Sequence, residues 1–180
     1  GVNLKGIRII NPKDSEELDN FCERFSLLRK VKGIQPEEAR SIMTQPNYFG
    51  AMMVAMHQVD CLVSGTSDVS GSVLRPLFQI INVAPQQTTA SSCMILELDD
   101  TRFGEDGVLF MGDCGVIPHP SVEQLAEIAV STAHLAHHLH GSRPRVAMLS
   151  YSTKGSATQS DVARIQAATN LARERALSLK

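Results

Sequence analysis

The stretch DCLVSGTSDVSGSVLRPLFQIIN, residues 60–82, contains the pattern that decides the fold class. A short apolar run comes first, then a loop of small polar residues from residue 65, then a helical pattern from residue 73. The same order of strand, polar loop and helix returns in residues 145–180. Strands that alternate with helices predict an α/β fold with largely parallel sheets flanked by helices.

The rest of the chain supplies further elements of both kinds. Residues 7–10 form a short β-branched run. Ser121 and Glu123 open a long amphipathic pattern, and proline favours a helix start at Pro36 and Pro46. The predicted strands are 7–10, 60–64, 91–98, 107–112 and 145–149, and the predicted helices begin near Asp14, Pro36, Pro46, Val73, Ser121 and Asp161.

A break in the pattern at Pro85, which two glutamines follow, predicts a domain boundary. Residues 1–86 are then part of a first α/β domain, and residues 87–180 are part of a second. A chain of 180 residues is long enough for either one domain or two small ones, so the boundary depends on this break alone.

Composition narrows the classes of function. The net charge of −2 and the pI near 6.3 give no broad basic field for nucleic acid, although a small phosphorylated ligand needs only two or three local cations. The longest apolar runs, 51–56 and 107–111, are far shorter than the ~20 residues that cross a bilayer. The N-terminus shows no export signal, so we expect a cytoplasmic protein. The four scattered cysteines predict free thiols.

Two loops have the composition of anion sites. The loop SGTSDVSGS at 64–72 leads to Arg75, and its amides, hydroxyls and guanidinium suit a phosphate near a helix start. The loop SYSTKGSA at 150–157 combines hydroxyls, a lysine and a glycine after an apolar run. Neither matches a phosphate-loop or dinucleotide signature, and a plain connector is the alternative for both.

Two clusters of basic side chains have competing interpretations. Arg29, Lys30 and Lys32 either complement the dipole at a helix end or form a fixed site for an anion. The histidines between His134 and His140 lie near a predicted helix end, where imidazolium is favourable. They lack the intervening glutamate of the HExxH zinc pattern, so we expect no metal site.

The chain carries six distinctive stretches, which are LLRKVKG (27–33), PNYFGAMMV (46–54), LVSG (62–65), LRPLFQII (74–81), GDCGVIPHPSVEQLAEIA (112–129) and RVAMLSYSTKGSA (145–157). Together and in this order they resemble the phosphate acetyltransferase and butyryltransferase family. The resemblance extends over nearly the whole chain, and its last two stretches are long and unusual.

The resemblance implies a two-domain α/β subunit of the isocitrate/isopropylmalate dehydrogenase type, of which this chain is a fragment, in a homodimer with the active site in the interdomain cleft. It also implies the reaction of acetate metabolism in which acetyl-CoA and phosphate give CoA and acetyl phosphate. The CoA thiol attacks the acetyl carbonyl directly in a ternary complex. CoA, acetyl-CoA, acetyl phosphate and phosphate are the expected partners, without nucleic acid, membrane, metal or a permanently bound cofactor.

The resemblance also assigns residues. The arginine of the LRKxKG stretch is Arg29, the leading candidate to orient the phosphate and acyl group of the substrate. The arginine of the LRP stretch is Arg75, a candidate for CoA binding together with Ser70. The predicted substrate contacts are Ser64, Gly65, Ser150, Ser152 and Thr153.

Some parts of the family pattern have no match in these 180 residues. They are a serine–arginine pair, an aspartate proposed as the base, and a DG-Q-DAA pattern. We therefore expect weak or no turnover from this chain alone. Two alternatives stay open, a non-catalytic acetyl-CoA-sensing domain of the kind fused to some malic enzymes and a phosphate butyryltransferase.

Overall fold

The computed structural model describes residues 3–85, 87–153, 156 and 159–177. The described residues form two compact units that divide after Asn82. The helices of the first unit are α1 (Leu18–Leu28), α2 (Pro36–Met43), α3 (Pro46–Ala55) and α4 (Ser70–Ile80). The second unit contains β1 (Cys93–Glu97), β2 (Val108–Gly112), α5 (Val122–His140) and α6 (Ser160–Leu177).

Aromatic and methionine side chains form the core of the first unit. Phe21 and Phe25 of α1 are fully buried, and so is Met52 of α3. Phe21 stacks at a tilt on Phe49, with ring centroids 4.8 Å apart. Full burial of one such side chain contributes about 1.5–3 kcal/mol, so α3 is held firmly against α1. Met52 of α3 therefore belongs to the core of the unit.

Helix α4 packs on α3 and carries a proline in its interior. Pro76 is buried, and the helix continues through it to Ile80. The hydroxyl of Tyr48 donates a hydrogen bond to the Gln79 side chain at 3.1 Å, which ties α3 to α4. Helix α4 begins at Ser70, three residues before the predicted start. Ser70 and Ser72, which the sequence places in a loop, thus lie in its first turn.

The second unit contains an antiparallel hairpin and two long helices that pack together. Strands β1 and β2 pair with Cys93 opposite Gly112 and Glu97 opposite Val108. The Ser121 hydroxyl accepts a hydrogen bond from the Gln124 amide, and the Gln124 side chain accepts one from the Ser121 amide. This capping box satisfies two amides at the start of α5.

In the described ranges, no helix is long and apolar enough to cross a bilayer.

The structure corrects the prediction of largely parallel sheets flanked by helices. Within the described residues the one sheet has two antiparallel strands, and 7–10, 60–64 and 145–149 are not strands. A strand needs backbone hydrogen bonds to a neighbouring strand, and these three apolar runs have none. Residues 145–149 line a cavity that β2 also lines, instead of pairing with that strand. Val146 and Leu149 remain 54% and 76% exposed.

Candidate active site

Arg29 occupies the end of α1 and is the most unusual of the predicted site residues. It caps the C-terminus of the helix, and its backbone amide donates the last helical bond, to the Phe25 carbonyl at 3.0 Å. Its side chain is half-buried, and the buried Nε atom has no hydrogen-bond partner among the described residues. A buried donor without an acceptor costs about 1–3 kcal/mol. An anionic oxygen placed there would remove that cost.

The two lysines that follow Arg29 add positive charge, but they are exposed and do not bury its side chain. Lys30 and Lys32 are exposed in a short 3₁₀ turn, and Gly33 follows with a φ of +65°. That left-handed conformation favours glycine, which explains why the chain can turn sharply after the cluster. The helix C-terminus also favours cations, which agrees with the dipole interpretation for the two lysines, while the anion site stays a prediction. Arg29 differs from the two lysines because its buried Nε atom has no hydrogen-bond partner among the described residues.

Four other predicted residues belong to the same unit and surround the start of α4. Ser70 is the first residue of α4, and Arg75 follows on an exposed part of the helix. Gly65 has a φ of +111°, a conformation that side chains rarely adopt. The Ser64 hydroxyl donates to the Asn47 side-chain oxygen at 2.6 Å. The structure therefore brings Ser64, Gly65, Ser70 and Arg75 into one loop and helix start.

Asn47 bonds to the candidate site, although no sequence motif assigns it a role there. It is the second residue of α3 and contacts the loop at 64–72 through three hydrogen bonds. These partners lie 17 to 25 residues away along the chain, so no local pattern could reveal them. The one local signal in the sequence is that Asn47 is a polar residue in the first turn of a helix that is otherwise mostly apolar.

The remaining predicted residues lie in the second unit. Ser150, Ser152 and Thr153 form a tight turn in which the Ser150 hydroxyl accepts from the Ser152 amide at 3.1 Å. The Ser156 hydroxyl donates to the Thr153 carbonyl at 2.7 Å. Lys154 and Gly155 of the predicted loop lie outside the described residues. The hydroxyls thus bond chiefly to one another and to nearby backbone, and Ser150 and Thr153 are exposed.

Asp113 organises the loop after β2. Its carboxylate accepts hydrogen bonds from the Ser92 amide at 2.9 Å, from the Ser92 hydroxyl and from the Ile117 amide at 2.7 Å. Longer bonds come from Gly115 and Val116. Burial opposes ionisation, but these donors outweigh it and lower the pKa of Asp113 to about 2. The ionised carboxylate at neutral pH therefore holds the loop at 113–117 in place.

A second carboxylate, that of Glu127, holds the residues just before β1 against α5. Glu127 of α5 accepts from the amide and the hydroxyl of Thr88, at 2.6 and 2.8 Å. Thr89 donates to it in the same two ways, at 3.1 and 2.9 Å. Burial raises the pKa of Glu127, but the four donors prevail and lower it overall. Glu127 is thus an ionised anchor, which leaves it unsuited to act as a proton donor.

A cavity beside β2 has a volume of about 780 Å³ and is lined by β2, by α5 and by the segments 102–105 and 142–149. Three arginines lie on its wall. Arg102 forms a close ion pair with Asp100, and Arg145 lies 3.9 Å from Glu105. Because these carboxylates already compensate two of the arginines, the cavity is a weaker candidate for an anion than Arg29.

The histidines of α5 do not converge on a metal site. In the part of the chain that the structure describes, no three side chains of histidine, cysteine, aspartate or glutamate could hold a metal ion together. The His137 Nδ1 atom lies 2.9 Å from the Ser142 carbonyl, close to the helix end at Gly141. This placement agrees with the favourable interaction of histidine with a helix C-terminus.

The sequence model of the phosphate acetyl/butaryl transferases matches residues 1–180 of this chain. The chain belongs to this family. The sequence resemblance to that family is therefore confirmed over the full 180 residues.

Individual members of the phosphate acetyl/butaryl transferase family support the same assignment. A phosphate acetyltransferase from Thermoanaerobacterium thermosaccharolyticum is 44% identical over 173 residues, which are 96% of this chain and 53% of that protein. One from Nitratidesulfovibrio vulgaris is 41% identical over 179 residues, which are 99% of this chain and 24% of that protein. The chain thus spans about half the length of the first relative and a quarter of the second.

Solved structures of the family share the fold. A EutD phosphotransacetylase from Staphylococcus aureus superposes with a TM-score of 0.80 at 34% identity, covering 98% of this chain and 51% of that one. The α/β class predicted from the sequence is therefore correct, although the sheet among the described residues is small.

Proposed function

We propose that this chain carries the CoA-binding and phosphate-binding residues of a phosphate acetyltransferase. In the proposed reaction the CoA sulfur bonds to the acetyl carbonyl carbon of acetyl phosphate. The bond from that carbon to the phosphate oxygen breaks, and phosphate leaves with the electron pair while the thiol proton is released. The reverse direction uses acetyl-CoA and phosphate. CoA is a substrate in both directions, and no resident cofactor takes part.

The buried Nε of Arg29 is the observation that carries this proposal. A cation that is half-buried and lacks an acceptor on the described part of the chain is suited to an anion supplied from outside. Its guanidinium would neutralise the departing phosphate and hold the acyl group in place. Such transition-state stabilisation and orientation are the two large contributions available to a direct transfer without a metal.

The other residues have supporting roles in the proposal. Arg75 and Ser70 bind CoA, whose diphosphate suits a guanidinium beside the first turn of a helix. Ser64 and Gly65 contact the substrate, and Ser150, Ser152 and Thr153 remain predicted substrate contacts. We extend the proposal to a homodimer of two-domain subunits of the isocitrate dehydrogenase type. The likeness to solved phosphotransacetylases supports the shared fold, and the homodimer stays an expectation from the family resemblance.

The names of the relatives favour acetyl over butyryl as the transferred group and favour an enzyme over a sensing domain. Calorimetric affinities for acetyl phosphate and butyryl phosphate, which need no turnover, compare the two acyl preferences. A cytoplasmic location stays a prediction from the sequence.

Calorimetric titration of CoA tests the proposal. We expect Arg75→Ala to weaken CoA binding about 3–10-fold, because an exposed guanidinium bound to a diphosphate is partly screened by solvent. Arg24→Ala is the matched control, since Arg24 is an exposed arginine of α1 in the same unit. Equal losses in both variants would indicate a general charge effect. Absence of CoA binding by the folded wild-type chain would contradict the proposal.

A further inference from the structure

We infer that Asn47 is the positioning residue that sets the loop at 64–72 and the first turn of α4 for ligand binding. This inference rests on the proposed function, because it concerns Ser64, Ser70 and Arg75 as ligand contacts. Asn47 itself is not proposed to contact CoA or phosphate.

The three hydrogen bonds of Asn47 reach the beginning, the middle and the end of the loop. Its side-chain oxygen accepts from the Ser64 hydroxyl at 2.6 Å. Its side-chain nitrogen donates to the Asp68 carboxylate at 3.0 Å and to the Ser72 carbonyl at 3.3 Å. Within the described residues, every side-chain hydrogen bond between the loop and another element of the unit ends on Asn47.

The bond to Ser72 has a specific cause in the sequence of α4. In a regular helix the amide of residue 76 would donate to the carbonyl of residue 72, but Pro76 has no amide hydrogen. The Ser72 carbonyl therefore loses its helical donor, and the Asn47 side chain supplies one in its place. Arg75 lies directly before Pro76, at the point where the helix lacks its own bond.

Asn47 can act as a fixed point because α3 is anchored in the core. Phe49 and Met52 of the same helix are buried. Leu62, just before the loop, packs onto α3 at Gly50, where an added Cβ would approach the Leu62 side chain to 2.8 Å. The loop itself is exposed and includes Gly65, which tolerates many conformations. Order in the loop must therefore come from α3, and Asn47 transmits it.

The test measures order and binding separately. Asn47→Leu keeps the approximate volume and removes all three hydrogen bonds. We expect the ¹⁵N order parameters of backbone amides in residues 64–72 to fall from about 0.85 to below about 0.6, while those of α1 and the rest of α3 stay unchanged. We expect CoA affinity to fall about 5-fold, the effect of losing about one net hydrogen bond.

The matched control is Asn20→Leu, which removes an exposed side-chain amide of α1 that donates to the Glu17 carboxylate at 3.2 Å. It should change neither the order of the loop nor CoA affinity. Pro76→Ala supplies a rescue, because it returns the amide that Ser72 lacks. In that background Asn47→Leu should disturb residues 70–75 less than it does in the wild type. Circular dichroism checks that each variant is folded.

The results test two claims separately, that Asn47 orders the loop at 64–72 and that this order supports CoA binding. Unchanged loop order in folded Asn47→Leu overturns the inference, whether or not CoA binds. A disordered loop with unchanged CoA affinity overturns the role of Asn47 in the ligand site. If the wild-type chain binds no CoA, the proposed function fails, and the order parameters still decide whether Asn47 positions the loop. Lower order together with lower affinity supports the inference.

Discussion

Replacement of Arg29 by glutamine is expected to weaken acetyl phosphate binding about 10–100-fold. A hydrogen bond between a charged donor and acceptor is worth about 1.5–3 kcal/mol, and each 1.4 kcal/mol is tenfold in affinity. Arg29→Lys should lie between the wild type and Arg29→Gln, because lysine keeps the charge but lacks the planar fork that binds two oxygens. Calorimetric titration with acetyl phosphate measures these affinities directly and does not depend on turnover.

Arg24→Gln is the control for Arg29, because it removes an exposed arginine from the same helix. It should leave acetyl phosphate affinity within about 2-fold, as expected for an exposed and screened charge. A second measurement separates a binding role from a structural one. Arg29→Met removes the buried Nε that has no partner, so the free energy of unfolding should stay the same or rise. A clear loss of stability would mean that Arg29 holds the fold together.

Replacement of Asp113 by alanine is expected to destabilise the second unit by about 2–4 kcal/mol. The carboxylate serves five backbone and side-chain donors, and bonds to charged groups contribute about 1.5–3 kcal/mol each without being additive. The Ser92 and Ile117 amides would lose their acceptor. Urea unfolding at pH 7, followed by circular dichroism, measures the loss. Asp99→Ala, which changes an exposed aspartate in the turn between β1 and β2, is the control.

The same carboxylate predicts a dependence of stability on acid. The pKa of Asp113 is lowered from 3.8 to about 2, so the folded protein holds this group ionised where the unfolded chain begins to protonate it. Its contribution to stability is complete above pH 3.8 and is lost as the pH falls through about 2. Asp113→Asn should remove this part of the acid transition. An identical acid profile in wild type and Asp113→Asn would contradict the assignment.

Local signals in the sequence predict the helices well. Pro36 and Pro46 stand at the first position of α2 and α3, and Ser121 caps α5. Each of these signals acts within one turn, so it can be read without knowledge of the fold. Strands depend instead on a partner that lies elsewhere in the chain. The apolar run at 145–149 therefore looks like a strand in the sequence but lines a cavity in the structure.

The same distinction separates the site residues that the sequence reveals from those that it hides. Arg29 and Arg75 can be named in advance because a guanidinium is itself a group that binds anions and both residues lie in distinctive stretches. Asn47 and Asp113 lie in such stretches too, but the bonds of Asn47, and those of Asp113 to Ser92, join residues that are 17 to 25 positions apart. Such bonds depend on tertiary packing, and one of them exists because Pro76 removes a donor from a different helix. The sequence shows that Pro76 removes a donor, but only the fold shows that the Asn47 side chain replaces it.

The packing order in the first unit also has a consequence for how the protein is made. Helix α1 packs on α2, α2 on α3, and α3 on α4, so most contacts join neighbours in the chain. Chains with such short-range contacts fold in microseconds to milliseconds, whereas translation adds about 5–20 residues per second. We therefore expect the helical first unit to fold on the nascent chain while the ribosome is still synthesising residues of the second unit.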